Sequence, residues 1–452
     1  MIGLASIAGD PLLRQLMVSG RVCDPEIERV LTVARRALLD WACGANAAGG
    51  ELAPFFAALA EQCFLNEYVF AESDDERAAV ERIAAMLSAQ AQGGGEIAPE
   101  WLIATAAYRP LHALAGADAL LGRAWPEPIE RLLTLQVREP REEEAIRAAL
   151  PALTPIEDRV SRAVQAQYEQ NPYPRWVMTA PAGQPIAIDD DMRRKFPLAP
   201  YRPRGAGAAL DILVAGCGTG AHPIETCRRY AGARVLAVDL SRASLAYAAR
   251  KTRALGLPIE YAQADILALG GLDRRFDVIE AAGSLQCLAD PAAGWRVLLG
   301  LLEPGGLMLL GLYSRTARAD INAARTYIRE RRYGGTADDI RRFRQDAMAW
   351  PDGTPGKSAT RLGDFYATSG CRDLLFHVQE YQHDLPEIAA FIAAERLAFL
   401  GFELDIRVLH AYAAENPGDP AMIDLDRWHR FETAHPGTFV GMYQFWVQRR
   451  MG

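Results

Sequence analysis

Apolar and polar positions repeat along this chain with two different periods, and the change of period divides it. Over the first 150 residues the apolar positions recur at helical spacing. Asp24 and Pro25 open a helix whose Ile27, Val30, Leu31, Ala34 and Leu38 share one face as far as Gly44. A second helix gathers Phe55, Phe56, Leu59, Cys63 and Phe64. A third opens at a capping box, Ser73 with Glu76, and fades into the Gln- and Gly-rich stretch AQAQGGGE. No period of about 34 or 40 residues recurs, which excludes a solenoid, so residues 1–150 read as one helical domain. A further helix is predicted from Thr154, Pro155 and Glu157, where a capping box coincides with proline at the first helical position. It runs to Gln170 and is stopped by Pro172 and Pro174. The polar stretch at 181–208 reads as a linker, which makes residues 151–208 a capping helix and connection.

From Leu210 the pattern changes to short apolar runs separated by helices, the signature of a buried parallel sheet. Strands are predicted at 210–215, 234–239, 259–262, 276–281 and 307–313, with two later ones at 399–406 and 439–447. Asp384 and Glu387 start the helix before the sixth strand. Residues 315–383, with the helical runs ARADINAARTYIRERRY and ADDIRRFRQDAMAW, read as an insertion into a single domain spanning 209–452. An insertion there stands at the carboxyl edge of the sheet, where ligands of open α/β folds bind, and is expected to act as a substrate lid.

The chain has 452 residues, half of them hydrophobic, enough for two or three cored domains and no disordered or fibrous protein. No run of about 18 apolar residues offers a membrane span and no apolar leader opens the sequence, so the expectation is a soluble, cytoplasmic protein without a membrane partner. The seven scattered cysteines show no metal spacing and imply reduced thiols rather than disulfides or a metal site. Residues 1–150 carry 22 acidic against 13 basic side chains, whereas the remainder is nearly balanced. With three lysines and no long basic run, nucleic acid is excluded as a partner.

The candidate chemistry begins after the first strand, at AGCGTGAH. Gly216, Gly218 and Gly220 permit a tight turn with positive φ, close approach of a ligand to the backbone, and a helix whose first N–H groups are free. The second strand ends in Asp239, nineteen residues after Gly220 and placed to accept hydrogen bonds from both hydroxyls of a ribose. Gly216, Gly218 and Ala221 also satisfy a dinucleotide pattern, so an NAD-dependent oxidoreductase stays open on these residues alone. The remaining segments decide the reading. AQADIL puts Asp265 just past the third strand, FDVIEAAGSLQCLADP spans the fourth, and LLEPGGLMLLGLY turns into the fifth. Together they resemble the class I S-adenosylmethionine-dependent methyltransferase family. QYEQNPYPRW looks like a motif of bacterial methyltransferase modules, some of which follow tetratricopeptide repeats, and SGCRDLLFHVQE and GMYQFWVQ resemble further segments of those modules.

The resemblance implies a Rossmann-like α/β sheet of seven strands, the last antiparallel, beside the N-terminal all-helical domain and the helical insertion. It implies S-adenosyl-L-methionine as cofactor, with Gly216, Gly218 and Gly220 under the methionine part, Asp239 on the ribose, and Asp265 with the Ile266 backbone on adenine. Gly283 and Ser284 would flank the reacting methyl, and Tyr168, Tyr173, Arg175 and Trp176 would line the methionine end. Two positions depart from the family pattern: Val214 stands where an acidic residue is usual, and Gln286 and Cys287 replace a common His-His, leaving no histidine base there.

The expected activity is methyl transfer to a nitrogen or oxygen nucleophile of a peptide, protein or small molecule. A catalytically inactive binding protein of the same fold is the other reading. Glu280, His377, Glu380 and Tyr313 are the candidates for handling the acceptor's proton, with Glu280, His377 and Tyr313 taken as catalytic. The arginine run Arg331, Arg332, Arg341, Arg342 and Arg344 reads as a solvated helical face. Assembly, a homodimer included, is not legible in the residues.

Overall fold

A computed structural model of the chain describes residues 3–44, 51–205 and 209–451. The chain forms two compact units. One comprises Ile146–Pro172, Thr179–Ala319 and His377–Gly452 and holds the sheet.

Its seven strands are β1 (Leu210–Ala215), β2 (Ala233–Asp239), β3 (Ile259–Gln263), β4 (Phe276–Ala282), β5 (Leu302–Leu312), β6 (Leu397–Phe402) and β7 (Tyr443–Arg449). They lie in the order β3-β2-β1-β4-β5-β7-β6, with β7 antiparallel to both neighbours. The first five pair in parallel, with Ile212 beside Val235 on one flank and Val278 on the other. This is the expected Rossmann-like sheet, and its chain order reverses at β1 and β4, where the crossovers leave a crevice. Two apolar layers cover the faces, one around Leu213, Ile279 and Trp295, the other around Val214, Val235 and Leu245. The sixth strand is shorter than expected because Asp405 takes the N-cap of the helix Ile406–Glu415, accepting from the Arg407 N–H.

The helix expected from Thr154 begins instead at Arg159, capped by Asp158, and ends at Gln170 as predicted. Thr154 is drawn elsewhere: its Oγ1 accepts from the backbone N–H of Asp265 at 2.8 Å. Within the expected linker a helix forms at Ile188–Lys195, whose buried Asp191 is held by Lys195 and Arg194. Residues 206–208 of that linker lie outside the described residues.

The other unit comprises Met1–Ala145, Tyr173–Met178 and Asp320–Phe376. Its helices follow the sequence closely: Pro25–Ala42 is capped by Asp24, Ala53–Leu65 is almost wholly buried, and Asp74–Gly93 starts with both halves of the Ser73–Glu76 box in place. The division differs from the expected one in the place of the insertion. Ile321, Ile328, Phe343 and Leu374 share one apolar core with Leu38, Phe55 and Leu102 of the N-terminal helices. The physical reason is burial, because the helices Ala319–Glu330, Ala337–Ala349 and Thr368–Phe376 are amphipathic and their apolar stripes meet those of the first 145 residues. The arginine run is likewise not uniformly solvated. Arg344 is fully buried, bound to both oxygens of Glu28 at 2.7 and 3.1 Å and to the carbonyls of Val69 and Phe365.

Candidate active site

The turn after β1 adopts positive φ at three positions, +80° at Gly216, +51° at Gly218 and +87° at Gly220. Space matters as well as angle. A Cβ on Gly216 would lie 2.2 Å from that of Ser284, and one on Gly220 2.5 Å from that of Ala248. The helix Ala221–Arg229 springs directly from this turn with no side-chain cap, so its first N–H groups remain for solvent or a ligand. Asp239, at the tip of β2, faces the same turn: Oδ2 accepts from the Gly218 N–H at 2.8 Å and Oδ1 from the Ser241 N–H at 2.9 Å. Each oxygen keeps a lone pair for a further donor. Burial pushes the carboxyl above its usual pKa, against the pull of the backbone N–H groups of Ser241, Gly218 and Leu240, so donors brought by a ligand would find an under-solvated anion.

Asp265 is buried beyond β3, where Oδ1 accepts from the Leu267 N–H and caps the short helix Ile266–Gly271. Gly283, with φ +82°, and Ser284 follow β4, and the Ser284 hydroxyl donates to the carbonyl of Ala215, tying the loop after β4 to the end of β1. The eight residues Gly216, Gly218, Gly220, Asp239, Asp265, Ile266, Gly283 and Ser284 therefore collect at the carboxyl ends of the first four strands. Tyr173 and Arg175 do not belong to this unit. In the helical unit, Tyr173 donates to Asp364 at 2.9 Å and Arg175 pairs with Glu67 at 3.3 Å.

The proton-handling candidates separate by environment. Glu280 is buried and bonded to His222 Nε2 at 2.9 Å and to the Thr226 hydroxyl at 2.5 Å. Burial alone would raise its pKa, but His222 and these hydrogen bonds hold it below the ordinary carboxylate value. Its partner is thus a histidine, and the pair braces the helix after the glycine turn. Tyr313 lies under the guanidinium of Arg318, 3.7 Å from ring centroid to cation, and Arg318 binds Glu380 through two hydrogen bonds of 2.9 and 2.8 Å. Both partners of that ion pair are almost fully buried.

His377 lies beside Cys287, one of the two residues that replace the common His-His. Its Nε2 is 3.0 Å from the hydroxyl of Tyr168 and 3.6 Å from Sγ of Cys287. Nδ1 accepts from the backbone N–H of Gln379 at 3.1 Å. A neutral ring accepting at Nδ1 carries its proton on Nε2, so His377 donates to Tyr168. Sequence reasoning missed His222 and the joining of Tyr168 to His377. The side chains meet across 209 residues of chain, and no local spacing signals that.

Among the described residues no three His, Cys, Asp or Glu side chains gather as a metal site requires, and no helix is long and apolar enough to cross a membrane. A cavity of about 770 Å³ sits at the amino edge of the sheet, lined by Pro304, Gly305, Ala398 and Arg449, away from all of these groups. A second, of about 720 Å³, opens at the carboxyl edge beyond β6 and β7.

Residues 212–306 match a family model described as a methyltransferase domain. An uncharacterised protein of Synechococcus is 28% identical over 258 residues, covering 54% of this chain and 60% of that protein. A ubiquinone biosynthesis O-methyltransferase of Methylocella silvestris is 36% identical over 139 residues, covering 29% of this chain and 52% of that one. The chain thus spans little more than half the length of these relatives. Among solved structures, PKMT2 from Rickettsia typhi in complex with AdoHcy is similar at 15% identity, with a TM-score of 0.44 over 58% of this chain and 52% of that one.

Proposed function

We propose, on the footing that residues 212–306 form a class I S-adenosylmethionine-dependent methyltransferase domain, that this chain transfers a methyl group from S-adenosylmethionine to a nitrogen or oxygen nucleophile of a peptide, protein or small molecule. The observation that carries the reading is the glycine turn facing Asp239, three positive-φ glycines whose Gly218 N–H is bonded to the carboxylate that ends β2.

The residues fit the cofactor's chemistry. Asp239 retains one lone pair per oxygen for a ribose diol. The uncapped first turn of the helix Ala221–Arg229 suits the methionine carboxylate. Asp265 and Ile266 are the proposed adenine contacts, and Gly283 and Ser284 leave the reacting end open. Tyr173 bonds Asp364 and Arg175 pairs with Glu67 within the helical unit. When bound, the cofactor supplies an electrophilic methyl on a sulfonium. The chain's own part is to align the acceptor and exclude water, worth about 7–11 kcal/mol when alignment is complete.

The acceptor's proton is assigned to Tyr168 and His377 as a unit. His377 Nε2 and the Tyr168 hydroxyl meet at 3.0 Å, which offers that proton a path. Glu280 and Tyr313 act through their neighbours, Glu280 by holding His222 and Tyr313 by seating Arg318.

The test is turnover. Purified protein incubated with methyl-labelled S-adenosylmethionine and cell extract is expected to release S-adenosylhomocysteine and a labelled product. Cofactor binding without any transfer would assign the chain to the inactive-binder reading, and binding of NAD in its place would restore the oxidoreductase.

A further inference from the structure

The helix Ala221–Arg229 offers a ligand few backbone donors for an end that follows a glycine turn. Its third residue is Pro223, which has no N–H, and the Ile224 N–H is already bonded to the carbonyl of Gly220 at 3.2 Å. Two N–H groups remain, those of Ala221 and His222. A carboxylate seated on them has lone pairs to spare, because its two oxygens accept about four hydrogen bonds.

The side chain of His222 stands at the same end. Its Nε2 is tied to Glu280 at 2.9 Å, and the Thr226 hydroxyl holds the same carboxylate oxygen at 2.5 Å, so the ring is braced from the sheet. Nδ1 has no partner among the described residues, and 29% of the side chain is open to solvent, against 3% for Glu280. Nδ1 is bonded to the ring carbon next to Cβ, so it stays near the backbone of the first turn while Nε2 reaches β4.

The charged groups around the ring are Glu280 on β4 and Glu225 and Arg229 on its own helix. Burial opposes the charged ring, but Glu280, with Glu225, outweighs burial and Arg229 and raises its pKa above the ordinary 6.5. The cation carries an N–H on each nitrogen, one for Glu280 and one for a ligand. A buried ion pair adds little stability over an apolar pair of the same volume. What this pair supplies is a fixed, charged donor beside the two backbone N–H groups.

We propose that His222 is a cofactor-binding residue, whose Nδ1–H donates to the methionine carboxylate of S-adenosylmethionine alongside the N–H groups of Ala221 and His222, with Glu280 positioning the ring. This rests on the methyltransferase reading and adds to it the determinant that recognises the amino-acid end of the cofactor. An adenosyl sulfonium without that carboxylate gains nothing from the cation.

S-Adenosylmethionine and its decarboxylated form differ in that carboxylate alone. Calorimetric titration of the full chain with each, at pH 7, is expected to show at least a tenfold preference for S-adenosylmethionine, as charge-assisted hydrogen bonds give. His222→Gln still reaches Glu280 but carries no charge. It should weaken S-adenosylmethionine five- to twentyfold and leave the decarboxylated form within about twofold of wild type. Equal weakening of both ligands, or of neither, overturns the proposal. Should His222→Gln not fold, Glu280→Gln decides by the same comparison: the buried ring it leaves is neutral at pH 7, so the preference should narrow, and an undiminished preference overturns the proposal. If neither ligand binds the wild type, the methyltransferase reading falls. If both bind without a preference, this inference alone is lost.

Discussion

Glu280 Oε2 lies 2.9 Å from His222 Nε2, joining the fourth strand to the first turn of the helix that follows the glycine loop. Glu280 is the register partner of Val214 on β1. The carboxylate absent from the first strand is therefore present one strand across, held by a histidine two residues past Gly220. Although burial opposes its charged form, His222 has its pKa raised by Glu280, whereas Glu280 is held down. The histidine's share of stability is present below its unfolded value of 6.5 and fades as pH rises through the raised folded value. The glutamate's share is present above 4.5 and fades as pH falls through the lowered one.

Glu280→Gln should accordingly cost about 2 kcal/mol near pH 5.5, the typical worth of a hydrogen bond to a charged group. The difference from wild type should shrink on both sides of that window. Urea unfolding of the two proteins from pH 4 to pH 9 measures it, and a difference independent of pH would separate stability from this pair.

His377→Phe removes the donor to Tyr168 while keeping a ring of similar size. The expected result is a fall in kcat of about a hundredfold or more. The pH–rate profile should be displaced, because the Tyr168 hydroxyl then loses its hydrogen bond to His377. Affinity for S-adenosylhomocysteine should stay as it was. A pH–rate profile lowered without displacement would assign His377 a packing role only.

Arg344→Met leaves Glu28 as an unpaired buried charge and is expected to destabilise the helical unit by about 3–5 kcal/mol. Adding Glu28→Met should recover most of that loss, since replacing both partners removes the stranded charge. Denaturant titration of the single and double variants checks this. It also tests whether residues 320–376 share their core with the first 145, because the pair joins the two segments.

The seven strands and most helix starts were readable because their signals are local: alternation of apolar runs, and capping pairs such as Ser73 with Glu76 and Asp384 with Glu387, three residues apart. The glycine turn and Asp239 belong to the same class. Where a residue had two employers, local reading failed. Thr154 looks like an N-cap but serves Asp265, and Asp158 takes the cap instead. Periodicity tells that Ile321, Phe343 and Leu374 are buried but not against what, and they pack into the core of the helical unit. The His377–Tyr168 contact and the unpartnered amide of Gln286 depend on tertiary approach, to which no spacing in the chain corresponds.

The central claim is that Asp239 and the turn from Gly216 to Gly220 hold the adenosyl part of the cofactor. Calorimetric titration with S-adenosylhomocysteine of the wild type and of Asp239→Ala tests it most directly. The account predicts binding to the wild type and a Kd about 10–100 times weaker in the variant, the loss expected for a charge-assisted pair of hydrogen bonds. Equal affinity in the two proteins, with the variant folded, would contradict it.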